Sequence, residues 1–172
     1  LWLAPTLQAA EFRSWIALRD HHLIRQRWDY SCGLAALATL LKYDHGMPAG
    51  ERALRERLFA LRPAARETLN THGVSLADLA LLARDAGLES AGFSVSPSAL
   101  GALKRPAIAY LEVAGMPHFV VLRAVRPGQQ VLLADPASGN RWQRWDAFLG
   151  QFAVFHGSGD ARQGSIGSGA RG

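Results

Sequence analysis

Hydrophobic spacing changes period part-way along these 172 residues, and that change limits the fold more than any other feature. Over 32–44, CGLAALATLLKYD, residues Leu34, Leu37, Ala38 and Leu41 recur at helical spacing, with Ser31 where an N-cap belongs and Gly46 as a stop. Leu54, Leu58 and Leu61 predict a second helix over 50–61. A third is expected over 75–86, opened by the capping pattern Ser75-x-x-Asp78 and closed by Gly87. These three helices fill the first half. In the second half the pattern is that of strands, at 107–112 (AIAYLE), 118–125 (HFVVLRAV) and 130–134 (QVLLA). Gly115-Met116-Pro117 and Arg126-Pro127-Gly128 read as the turns between them. A short helix around 145–150 and a last strand at 152–156 complete the reading. Helices followed by antiparallel strands predict an α+β domain, with N-terminal helices packed on the sheet.

The length suits one domain with a sizeable core. Hydrophobic residues make up 49% and charged residues 19%, a globular balance. The net charge of +5 comes from scattered arginines with no run of five or six, which does not mark a nucleic-acid surface. No apolar run approaches the roughly 20 residues of a membrane-spanning helix. Residues 1–10, LWLAPTLQAA, read as the remnant of a secretory signal, or else as an ordinary buried N-terminal segment. The signal reading gives a periplasmic or secreted protein, with a domain over 11–156. Residues 157–172, rich in Gly and Ser, are expected to form a disordered tail. One cysteine allows no intramolecular disulfide, and in an oxidising compartment a lone thiol is a candidate reactive group.

That cysteine, Cys32, opens the first predicted helix, where the helix dipole and unpaired N–H groups favour a thiolate and can hold an oxyanion. Position alone would equally suit a buried structural cysteine. Six residues upstream, Gln26 has the reach to offer a side-chain N–H to the same oxyanion, although a lone Gln also reads as a surface residue. A base for the thiol should be a histidine distant in sequence. His118 stands out because it begins the strand HFVVL directly after Pro117, and without a partner it merely starts a strand. Asp135, before Pro136, ends the next strand and reads as either a turn residue or an orienting carboxylate. If the two strands pair as a hairpin, with neighbours about 4.8 Å apart, Asp135 and His118 meet at one end. His21 and His22 are adjacent, while His45, His72 and His156 fall in loops or at a strand end. No spacing suits a metal, and there is no GxxxxGK[ST] run, so neither a metal site nor another cofactor is expected.

Taken together, QRWDYSCGLAALATLL at 26–41, HFVVL at 118–122 and ADPASG at 134–139 resemble the motifs of the C39 peptidases, which process bacteriocin leaders. The stretch HGVSLADLALLARDAGL resembles that family's second helical region, so the similarity spans about 25–155. The resemblance implies a papain-like cysteine peptidase that cuts after a Gly-Gly pair. It assigns Gln26 to the oxyanion, Cys32 as nucleophile, His118 as base and Asp135 as its orienting partner. Trp28 and Tyr30, flanking the nucleophile in sequence, are expected to wall a cleft that accepts only glycine before the scissile bond. Most family members carry Asp directly before the cysteine, whereas Ser31 stands there in this chain. The chain is more similar to stand-alone exported members linked to fibre or functional-amyloid secretion than to those fused to a transporter. The implied partners are therefore a peptide or protein substrate, with or without a Gly-Gly leader, and components of a secretion system. Two other readings stay open: a non-catalytic docking module for fibre export, and an acyl-transfer enzyme built on the same residues.

Overall fold

The computed structural model describes residues 14–152 and 165–169. The helical layer comprises α1 (Trp15–Arg19), α2 (Cys32–Thr39), which runs on as a π-turn over Leu40–Asp44, α3 (Glu51–Leu61), α4 (Ala65–His72) and α5 (Leu76–Asp85). The strands are β1 (Glu89–Phe93), β2 (Ala107–Val113), β3 (Met116–Arg126), β4 (Gln130–Asp135), β5 (Gly139–Arg144) and β6 (Ser165–Gly169). Two short helices, α6 (Pro97–Leu100) and α7 (Trp145–Leu149), lie between strands. All strand pairings are antiparallel, in the order β1-β6-β2-β3-β4-β5.

Every residue of α2 is buried, so the predicted one-sided stripe is in fact a helix apolar all round. It lies between the sheet, at β3 and β4, and the helices α3 and α5. Gly33 makes the sheet-side approach possible. A Cβ there would stand 2.3 Å from Val74 Cγ2 and 3.0 Å from Phe119 Cδ2. The sheet separates two apolar clusters. Phe119, Val121, Ile108 and Ala134 join the α2, α3 and α5 side chains, while Val120, Leu122, Val131 and Leu133 join Leu100, Phe148 and Phe152. Alternation along β3 produces this division, since successive residues face opposite sides of the sheet.

The capping box at α5 is formed as expected: Asp78 N donates to Ser75 Oγ at 3.2 Å and Ser75 N donates to Asp78 Oδ2 at 2.9 Å. The segment 23–31 is pinned from two sides. Ile24 N donates to Thr39 Oγ1 at 2.9 Å, and Arg27 N donates to the buried Glu51 carboxylate at 3.1 and 3.2 Å.

Five elements of the central domain were not expected: α1, α4, β1, α6 and β5. In α4 only Ala65 and Leu69 are buried, too few to mark a period. β5 inverts the usual alternation, with Gln143 buried and Trp142 exposed, as a polar edge strand allows. Of the segment 157–172, read as a structureless tail, residues 165–169 run instead as β6 between β1 and β2. Backbone pairing on both sides defines that strand, and a Gly/Ser sequence carries no signal for it. The rest of the segment, the signal-like residues 1–10 and most of the expected strand at 152–156 lie outside the described residues. Phe152 itself bridges to Leu111.

Candidate active site

Cys32 is the first residue of α2, a free thiol with 7% of its surface exposed. Ser31 precedes it but does not cap the helix. Its hydroxyl donates instead to Trp28 O at 2.6 Å and accepts from Trp28 N at 3.3 Å. The uncharged residue at this position thus closes the loop on itself and leaves the positive end of α2 to Cys32.

His118 lies near the start of β3, and Asp135 ends β4. Hairpin pairing brings the two to one end, and His118 Nε2 meets Asp135 Oδ1 at 2.9 Å. The ring also interacts electrostatically with Cys32, which raises its pKa. With Nε2 committed to Asp135, the nitrogen left for the thiol is Nδ1. Asp135 is held by more than the histidine. Its Oδ1 accepts from Ala137 N at 2.8 Å and Ser138 N at 3.3 Å, and its Oδ2 accepts from Ser138 Oγ at 2.7 Å and Arg141 Nη2 at 3.2 Å. Ser138 was legible in principle, because Asp followed by a small hydroxyl residue favours a side-chain-closed turn. Arg141 reaches in from a strand that gave no sequence signal.

The electrostatics follow from this packing. Burial opposes a charge on His118 and is the largest single influence. The hydrogen bond to Asp135 and the interaction with Cys32, with the charges of both, outweigh it, and the imidazole pKa is pushed up from 6.5 to about 9. Asp135 mirrors this. Burial opposes its ionisation, but the bond and charge of His118 and the donors at Ser138 and Ala137 hold its carboxyl well below the usual range. At neutral pH the pair is therefore imidazolium and carboxylate.

Gln26 reaches this end of the molecule through its backbone, whose N–H donates to Pro136 O at 3.1 Å. Its side-chain N–H₂ makes one long bond, 3.4 Å, to Trp28 O, while its Oε1 is buried with no hydrogen-bond partner. Among the described residues no hydrogen bond joins Gln26 to Cys32.

Tyr30, held at φ 62°, lines a cleft of about 160 Å³ together with Cys32, His72, Val74, Met116 and Phe119. Gly73, at φ 72°, packs so closely beneath it that a Cβ would stand 2.8 Å from Tyr30 O. Trp28 does not line this cleft. Its ring carries the Arg55 guanidinium at 5.1 Å and borders a separate cavity of about 450 Å³. His72, read from sequence as a loop histidine, is the last residue of α4, and its Nδ1 lies 2.7 Å from Thr71 Oγ1. No group of His, Cys, Asp and Glu among the described residues is arranged to hold a metal ion.

Residues 20–155 match the peptidase C39 family. The chain is 37% identical over 119 residues to the protein named "Probable functional amyloid protease FapD" of Pseudomonas aeruginosa, covering 69% of this chain and 51% of that one. A FapD protein of Pseudomonas fluorescens is 30% identical over 131 residues, covering 76% of this chain and 57% of its own. The chain thus spans about half the length of these two curated relatives. Among solved structures, the peptidase domain of Streptococcus ComA, a bifunctional ABC transporter of a quorum-sensing pathway, superposes with a TM-score of 0.68 at 19% identity, covering 87% of this chain and 98% of that domain. A double-glycine-motif protease from an AMS/PCAT transporter, solved with its leader peptide, superposes with a TM-score of 0.63 at 25% identity, covering 77% and 85% of the two chains. Helices on an antiparallel sheet, a buried thiol at a helix start and the match across most of its length agree: the chain belongs to the peptidase C39 family of papain-like cysteine peptidases.

Proposed function

We propose that Cys32, His118 and Asp135 form the catalytic triad of an endopeptidase that cuts an exported polypeptide after a Gly-Gly pair. The observation that carries this reading is the 2.9 Å bond from the His118 ring to the Asp135 carboxylate, on a ring whose charge also responds to the Cys32 thiol at the start of α2. In the reactive form the proton drawn from Cys32 already rests on Nδ1 of the His118 imidazolium, while its Nε2–H stays on Asp135. The thiolate attacks the scissile carbonyl, and the oxyanion forms at the start of α2, where the Cys32 backbone N–H supplies one donor and the Gln26 amide the other. Collapse expels the amine, which leaves with the His118 proton and yields a thioester. Water then attacks the thioester with His118 as base, releasing the acid and restoring the thiol. Gln26 is held by one long bond, so its amide can turn toward the oxyanion without breaking a strong contact.

The narrow cleft at Cys32 supports glycine selection. Tyr30 and Val74 stand against it, and the room is far below the 300 Å³ or more typical of drug-sized ligand pockets. The names of the similar proteins support an amyloid- or secretion-linked substrate and a periplasmic or secreted place of action. Among the described residues no helix is long and apolar enough to cross a membrane. The experiment that tests the reading is cleavage of a Gly-Gly peptide against one with Leu in either glycine position. Cleavage restricted to the Gly-Gly peptide is expected, and equal cutting of both would remove the specificity while leaving the peptidase class standing.

A further inference from the structure

The larger cavity, about 450 Å³, carries a charge pattern that nothing in the triad uses. Arg52, Arg55 and Phe59 stand on one face of α3, at helical spacing. Arg66 comes from α4, and Arg27 and Trp28 from the loop before α2. Against four guanidinium groups the lining holds one carboxylate, Glu56, which pairs with Arg52 at 3.0 Å. Arg27, Arg55 and Arg66 have no carboxylate partner among the described residues, whereas Arg19, Arg25, Arg57, Arg62, Arg141 and Arg144 each do. Three guanidinium groups without a carboxylate partner thus share one pocket. It is also pre-organised. The Arg55 guanidinium lies 5.1 Å over Trp28 and 5.5 Å over Phe59, and Arg66 lies 4.6 Å over Phe59. A guanidinium stacked on a ring keeps its in-plane N–H fork free for a carboxylate.

We infer that this cavity binds an acidic segment of the polypeptide being cleaved, outside the residues held at Cys32. The inference rests on the peptidase reading and adds to it a second point of recognition. Continuity supports it: Trp28 walls the basic cavity, while Tyr30, in the same pinned loop, walls the cleft beside Cys32. A chain leaving the cleft past this loop meets the arginines. Nucleic acid is the weaker fit. Base stacking needs open aromatic faces, and the rings here already carry guanidinium groups. An extended backbone needs a basic stripe, and the neighbouring arginines are paired.

The test is binding, read apart from cutting. Fluorescently labelled peptides sharing a Gly-Gly core, with either a Glu cluster or the isosteric Gln cluster on one flank or the other, are titrated by anisotropy into Cys32→Ala protein. The Glu peptide of one flank is expected to bind about tenfold tighter than its Gln counterpart, with the preference shrinking as salt rises. In the Arg55→Gln/Arg66→Gln double variant the Glu-to-Gln ratio should fall close to one, while Arg55→Lys/Arg66→Lys, which keeps the charge, should retain part of it. Equal binding of Glu and Gln peptides on both flanks, or a preference untouched by the double Gln variant, overturns the inference. So does single-stranded DNA that displaces the Glu peptide more effectively than free Glu peptide does. Failure of the wild type to cut any peptide refutes the peptidase reading, whereas loss of the charge preference alone refutes only the second recognition point.

Discussion

His118 Nε2 stands 2.9 Å from Asp135 Oδ1, a contact made between residues 17 apart in sequence by the β3–β4 hairpin. Its consequence is a protonated ring at neutral pH, because the carboxylate and the thiol together outweigh burial. Asp135→Asn keeps an acceptor oxygen but loses the charge. The alkaline limb of kcat/KM, expected near pH 9 in the wild type, should move down toward 6.5 in the variant, with about a tenfold loss at pH 8. A limb that stays in place would show that the charge of Asp135 is not what holds the proton.

The same shift predicts how stability depends on pH. The folded pKa of His118 lies above its unfolded value, so its contribution is fully present below about 6.5 and is lost as pH rises through about 9. At its full extent it is on the order of 3 kcal/mol. Asp135 has the opposite sign: its folded pKa is depressed, so its contribution is present above the ordinary carboxylate range and is lost only in acid. Melting temperatures at pH 6 and pH 10 should differ more for the wild type than for His118→Gln, and equal differences would contradict the linkage.

Gly33 tests the seat of the proposed nucleophile. A methyl group there meets Val74 Cγ2, on a short stiff side chain, and Phe119. Gly33→Ala should cost about 1 to 3 kcal/mol through overpacking and shift the start of α2. Urea denaturation measures the first effect and the rate of Cys32 alkylation the second. An unchanged midpoint with unchanged alkylation would mean that the contact relaxes freely.

Arg141 and Ser138 bond Asp135, so in the proposed triad their effect should appear in kcat. Ser138→Ala removes the 2.7 Å bond to Oδ2. A fall of about tenfold in kcat with KM little changed is expected for a positioning residue. Loss confined to KM would point to a direct substrate contact instead.

The elements that were legible are those whose signal is local. The capping box at Ser75 and Asp78, the apolar run of α2 and the hairpin that joins His118 to Asp135 each follow from residues close in sequence. What was missed depends on distant neighbours. β5 is a strand because β4 offers it a ladder, and its buried positions are Gly139 and Gln143, which give no apolar signal. Trp28 was expected beside the thiol because it is near it in sequence. The loop turns at Tyr30, with φ 62°, and Trp28 faces α3 instead. Arg55 and Arg66 look in sequence like solvated helix residues, and only the fold of α3 against α4 gathers them into one cavity.

The most direct measurement is mass spectrometry of a Gly-Gly leader peptide incubated with the wild type and with folded Cys32→Ala protein, checked by circular dichroism. The account predicts that the wild type gives one product pair, split after the second glycine, and that a thioester adduct on Cys32 can be trapped at low pH. Cys32→Ala should give neither. Cleavage that persists in folded Cys32→Ala protein, or a folded wild type that leaves the peptide intact, would contradict it.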